Sequence, residues 1–143
     1  NFVTKSNLKT WLSRNKMIND TIYIMDARIL NLGIDFEIIT ENQNVSVDIL
    51  QSCLVSLENR FADSPPDIGE DFFLSDVYDI LKAVPGVVDV TKVSVVNKHG
   101  ANYSSLSFDI NSNISPDGRY LVIPKNVVYE IKYPNLDIRG AVK

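Results

Sequence analysis

Reactive side chains are scarce in this chain, which has one cysteine, Cys53, and one histidine, His99, among 143 residues. A lone cysteine excludes an internal disulfide and is compatible with a reducing compartment. With a single histidine, any multi-histidine metal site or histidine-paired nucleophile would depend on His99, which sits beside Gly100 where a turn is expected. The six glycines are all isolated, so there is no glycine-rich loop to cradle a nucleotide's phosphates. No apolar run approaches the ~20 residues needed to span a bilayer. No signal-peptide pattern is present, and a chain that starts at Asn1 and runs almost at once into a helical pattern reads as a fragment or processed product. Basic charge is also short. Fourteen scattered Lys and Arg against eighteen Asp and Glu leave a net charge of −4 and a pI near 4.9, a poor field for drawing in nucleic acid.

Against these absences stands an ordinary globular composition, 45% hydrophobic and 22% charged, which excludes a disordered or collagen-like chain. The length suits one domain, or one and a small annex, burying about two-thirds of the unfolded surface. Ser6 is a candidate cap for a helix over 7–17, with Leu8, Trp11 and Leu12 on one face and Asn19-Asp20 ending it. Period-two patterning begins at Ile22 and is cleanest where Leu30, Leu32, Ile34, Phe36 and Ile38 alternate with Asn31, Gly33, Asp35 and Glu37, the mark of a strand covered on one face. Leu50, Cys53, Leu54, Leu57 and Phe61 then make a helical stripe over 46–61. The loop Ala62–Asp71, rich in proline and acid, leads to a second stripe of Val77, Ile80, Leu81 and Val84, with Ser75 as its expected cap and Pro85-Gly86 as its stop. Val88, Val90, Val93 and Val95 mark the next strand. Leu106, Phe108 and Ile110 alternate as if to close a hairpin with it across Lys98–Ala101. After the turn Ser115–Gly118, strands are expected at Tyr120–Ile123 and Val127–Tyr133, with Leu136–Lys143 as an edge strand or tail.

This order predicts an α+β fold: a split β-α-β-like antiparallel or mixed sheet with two helices on one face, an N-terminal helix and a C-terminal β extension. The expected divisions are an N-terminal helix and linker at 1–21, an α+β core at 22–98, and a β-rich extension at 99–143 packed on that core.

Few residues stand out chemically. Cys53 lies inside an apolar stripe and reads as a packed thiol rather than a nucleophile. Asp63, Asp67, Glu70 and Asp71 form the densest acidic cluster, but Pro65-Pro66 interrupts it and the alternation of a calcium loop is missing, so a solvated loop is the better reading. No spacing singles out a carboxylate pair for glycoside hydrolysis. The four Asn-X-Ser/Thr triplets, at Asn19, Asn44, Asn102 and Asn113, read as chance in an Asn- and Ser-rich chain. No catalytic, cofactor-binding or metal-ligating residue is expected. As partner contacts the residues to weigh are Trp11, Tyr133, Asn135, Asp137 and Arg139, since aromatics and arginine anchor interfaces.

LKTWLSRNKMINDTIYIMDARILNLGIDFEIIT, a helix, and IGEDFFLSDVYDILKAVPGVVDVTKVSVV resemble, in that order, the C-terminal part of the baseplate J-like family. The tail SFDINSNISPDGRYLVIPKNVVYEIKYPNLDIRG is similar to the baseplate wedge proteins of T4-like contractile-tailed phages. The resemblance covers nearly the whole chain and has its most specific parts at Ser115–Tyr120 and Glu130–Pro134. It implies a C-terminal piece of a longer, non-enzymatic structural protein of the virion tail, assembled in the host cytoplasm. Such a protein forms homo-oligomeric, dimer-type contacts and binds other wedge subunits in a ring that rearranges when the sheath contracts. It brings no catalytic residues, and the family has no short functional motif to carry over; from composition no cofactor, nucleic-acid or membrane partner is expected. A small α+β ligand-binding module is the alternative from another class, and a two-carboxylate hydrolase a third.

Overall fold

The computed structural model describes residues 2–14, 24 and 26–143. In chain order the elements are α1 (Phe2–Ser13), β1 (Arg28–Thr40), α2 (Ser46–Asp63), β2 (Phe72–Phe73), α3 (Leu74–Lys82), β3 (Val87–Lys98), α4 (Ile110–Asn113), β4 (Tyr120–Leu121), β5 (Val127–Glu130), α5 (Pro134–Asp137) and β6 (Ile138–Val142). The fold is α+β, with a mixed sheet, an N-terminal helix and a C-terminal strand.

β1 is the spine. Its alternation puts Leu30, Leu32, Ile34, Phe36 and Ile38 on one face, all buried. Onto this face pack Ile49, Cys53 and Leu57 of α2 and Leu74, Val77 and Leu81 of α3, in one core with Val90, Val93 and Val95 of β3. β3 runs antiparallel along one edge of β1, with a bulge at Thr91 that absorbs a register shift after Glu37. The other edge is shared. β5 pairs parallel with Arg28–Asn31, and β6 pairs parallel with Ile34–Ile38.

β5 and β6 are thus one strand interrupted by a helical turn. Pro134 has no N–H to give a ladder, and it begins α5 at a position where that donor is not needed. Asp137, only 2% exposed, stabilises the interruption: its carboxylate accepts the Tyr133 N–H at 3.1 Å and the Tyr103 hydroxyl at 2.6 Å. Beyond it the chain needs a glycine. A Cβ at Gly140 would overlap the Phe36 ring and come within 2.6 Å of Leu50 Cδ1, so β6 can lie this close to the core only without a side chain there.

The exit from α3 follows the sequence reading. Gly86 has φ +92°, which other residues rarely adopt, and its N-terminal neighbour Pro85 ends the helical run before β3 begins at Val87. The start of α3 does not follow it. The helix begins at Leu74 behind Phe73, so Ser75 lies inside the first turn and its N–H goes to the Arg119 carbonyl instead of the helix needing it as a cap. The first helix likewise begins at Phe2, placing Ser6 in its interior; the expected end at Asn19-Asp20 and the strand onset at Ile22 lie outside the described residues.

The expected hairpin between Val88–Val95 and Leu106–Ile110 is absent. β3 spends its ladder on β1, and the backbone of 104–108 is satisfied by side chains. Asn31 Oδ1 accepts the Ser104 N–H at 2.6 Å, Asn97 Oδ1 accepts the Phe108 N–H, and Asn97 Nδ2 donates to the Leu106 carbonyl. Asn31 is itself buried and donates to Glu130 of β5. The segment is held by polar clips, with Leu106 still buried in the core. β2 and β4 form a separate two-stranded ribbon, Phe72 against Leu121.

Candidate functional site

The sheet's second face is polar over the β6 half. Asp35 lies between Ser94 of β3 and Arg139 of β6, and Glu37 lies between Lys92 and Ala141, lining a shallow depression of about 220 Å³. Opposite charges side by side across strands stabilise the sheet locally. The acidic and basic groups alternate, so this face presents no single sign of charge to a ligand.

A different surface stands at the β5 end of that edge. Ile29 of β1, Val128 and Tyr129 of β5, Phe61 and Ala62 at the end of α2, Pro65, Pro66, Glu130, Ile131 and Pro134 line a groove of about 400 Å³. Its walls are apolar because three segments end there together: the last turn of α2, the double proline, and β5 with its exit. Glu130 is the one charged side chain among them. Behind the groove, Phe72 meets Tyr129 edge-on at 5.3 Å and stacks with Phe61 at 6.0 Å, which makes this wall rigid. Burial, reinforced by the Glu70 carboxylate, pushes the Tyr129 phenol up to about 12.

The third feature is α1, in which no residue is buried. Phe2, Val3, Leu8 and Trp11 are exposed on it, Leu8 by 46% and Trp11 by 61%. Lys5 forms an ion pair with Asp26, two residues before β1, and holds that carboxyl below its usual range.

The residues weighed from the sequence scatter. Trp11 is on α1; Asn135 and Arg139 are exposed, and Tyr133 is half-buried, edge-on to Tyr103 at 5.6 Å. Asp137 is corrected from a contact residue to a structural one, because its carboxylate is buried and taken up by Tyr103 and Tyr133. Cys53 is buried, and desolvation raises its thiol's pKa. The acidic loop is structural: Glu70 accepts the Asp67 N–H and Asp71 accepts the Ile123 N–H. Among the described residues no three His, Cys, Asp or Glu are placed to hold a metal ion, and no helix is long and apolar enough to cross a membrane.

Sequence reasoning missed the groove. Phe61 was legible as the end of a helical stripe and Ile131 as part of a strand face, but nothing local says that Pro65, Pro66 and Pro134 converge on them. No protein-family model matches the chain, and no curated protein matches it.

Proposed function

We propose that this chain is a structural assembly domain, a piece of a baseplate wedge subunit in a contractile phage tail, which works by surface complementarity with copies of itself and with other wedge subunits. The reading is non-enzymatic, and its location is the virion tail after assembly in the host cytoplasm. The observation that carries it is α1, a three-turn helix that buries none of its residues and exposes Phe2, Val3, Leu8 and Trp11. Packing of an apolar face is what usually stabilises a helix this short. Exposed apolar side chains grouped on one element mark a surface made for another protein. The sequence resemblance supplies the identity of that assembly.

The apolar groove is also the feature a small-molecule site would use. With Glu130 as its one charged lining residue it has little to orient a polar ligand, which favours a protein partner. Sedimentation velocity of the 143-residue chain, alone and mixed with the other wedge subunits, tests the reading. Complexes larger than the monomer are expected. A chain that stays monomeric, binds none of those subunits and is left out of assembling wedges would refute it.

A further inference from the structure

Independently of the assembly reading, we infer that Asp117–Gly118 is a site of isoaspartate formation, and that Ser115 holds it closed while the turn is folded. The pair has the chemistry for it. Gly118 has no side chain to shield its amide nitrogen, and apart from its chain neighbours no described atom lies within 4 Å of where a Cβ would stand. Both residues are exposed. In the reaction the Gly118 nitrogen attacks Cγ of Asp117. The nitrogen's proton and the carboxyl's hydroxyl leave as one water, closing a succinimide ring. Water then reopens the ring, and opening at the α-carbonyl leaves the main chain running through the Asp117 side chain. No other reactant is needed.

The folded turn withholds each requirement. Gly118 donates its N–H to the Ser115 carbonyl at 2.9 Å, which ties the nitrogen down inside the turn. The carboxylate is held away from it: Asp117 Oδ1 accepts the Ser115 hydroxyl and, at 3.3 Å, the Arg119 N–H, while Arg119 Nε lies 3.6 Å from Oδ2. The Ser115 hydrogen bond first, and the Arg119 contacts after it, keep the carboxyl below its usual range. The ionised form is the unreactive one, because the reaction expels a hydroxyl that only the protonated acid carries. Ser115 is itself anchored, being 5% exposed with its hydroxyl oxygen accepting the Arg119 and Tyr120 N–H groups at 3.0 and 3.2 Å. One side chain thus fixes both the carboxylate and the backbone around it. Conversion would reach beyond the turn. An extra main-chain carbon at residue 117 would disturb the Ser115 N–H bond to the Tyr120 carbonyl and the Ser75 N–H bond to the Arg119 carbonyl, which join β4 and α3 to the turn.

The test ages the whole chain folded in buffer and unfolded in guanidinium chloride, and counts isoaspartate at Asp117 by peptide mapping with isoaspartyl methyltransferase labelling. The unfolded chain is expected to convert at least about tenfold faster than the folded one, since the folded site reacts only when the turn opens. Folded Ser115→Ala is expected to convert about fivefold faster than folded wild type, the effect of one lost hydrogen bond on that opening. Ser115→Thr, which keeps the hydroxyl, should stay near wild type. Equal rates in the folded and unfolded wild-type chain, or no isoaspartate at Asp117 in either, would overturn the inference without recourse to a variant. So would a Ser115→Ala chain that melts like wild type and converts no faster, or a Ser115→Thr chain that converts as fast as Ser115→Ala.

Discussion

Single residues in this fold act mostly through what their polar atoms satisfy. Asp137 and Asn31 are buried, and each is useful because it closes a gap the strands leave open: Asp137 bridges the break between β5 and β6, and Asn31 clips Ser104 to β1. Neither role is visible in the residue type, which is why Asp137 read as a surface contact. Tyr129 shows the same dependence on surroundings. Its phenol is raised from 10.0 to about 12 by burial, so the folded state favours the protonated form. The resulting stability is complete below pH 10 and is lost as pH rises from there through about 12. The Tyr103 hydroxyl, held by Asp137, is raised too and adds to the loss in the same direction. Thermal melts followed by circular dichroism should show a midpoint that drops across that window, and Tyr129→Phe should make the drop shallower. A midpoint flat throughout would contradict the assigned burial.

At the scale of elements the contrast is between β1 and α1. Ile34 on β1 is fully buried, flanked by Val95 of β3 and Ile138 of β6, while Leu8 on α1 is exposed. Ile34→Ala is expected to cost about 2–5 kcal/mol and Leu8→Ala to stay within about 0.5 kcal/mol, both read from urea unfolding of the isolated chain. Equal costs would mean that α1 packs on its own core. The elements themselves were legible in proportion to how local their causes are. β1, α2 and α3 could be read because their apolar periods match their own backbone geometry, and the stop at Pro85-Gly86 because proline and glycine act on the backbone where they stand. The alternation of Leu106, Phe108 and Ile110 was equally regular but gave no strand. Its backbone partners are Asn31 and Asn97 side chains, the first far away in sequence, and periodicity carries no information about them. Ser75 and Ser6 looked like caps, but a helix start depends on the turn before it, and Phe73 precedes α3 without a capping side chain.

For the whole molecule the decisive feature is that β1 is paired on both edges, and the second edge is filled from the chain's last quarter. β5 and β6 lie against it, and Ile138 joins the core. A chain ending at residue 98 would leave that edge of β1 bare and uncover part of the face bearing Leu30, Ile34 and Ile38. It is expected to lose its cooperative urea transition and to aggregate through the open strand edge. A sharp two-state transition in that truncated chain would show that 99–143 is dispensable to the fold. Deletions there therefore cannot probe an interface, and surface substitutions on α1 and the groove are the proper tools.

The sequence by itself determined the α+β class, the apolar face of the spine strand, the two packed helices and the inert setting of Cys53, because each follows from periodicity and composition within a short window; the strand's second face, expected to be open, is covered at Asn31 and Gly33. Only the tertiary structure decided that β5 and β6 run parallel to β1 as one interrupted strand, that Asp137 is buried, that 104–108 is clipped rather than paired, and that a proline-walled groove forms beside β5. Those outcomes depend on which distant backbone and side-chain groups satisfy one another once the chain closes, and contact between distant segments leaves no local pattern to read.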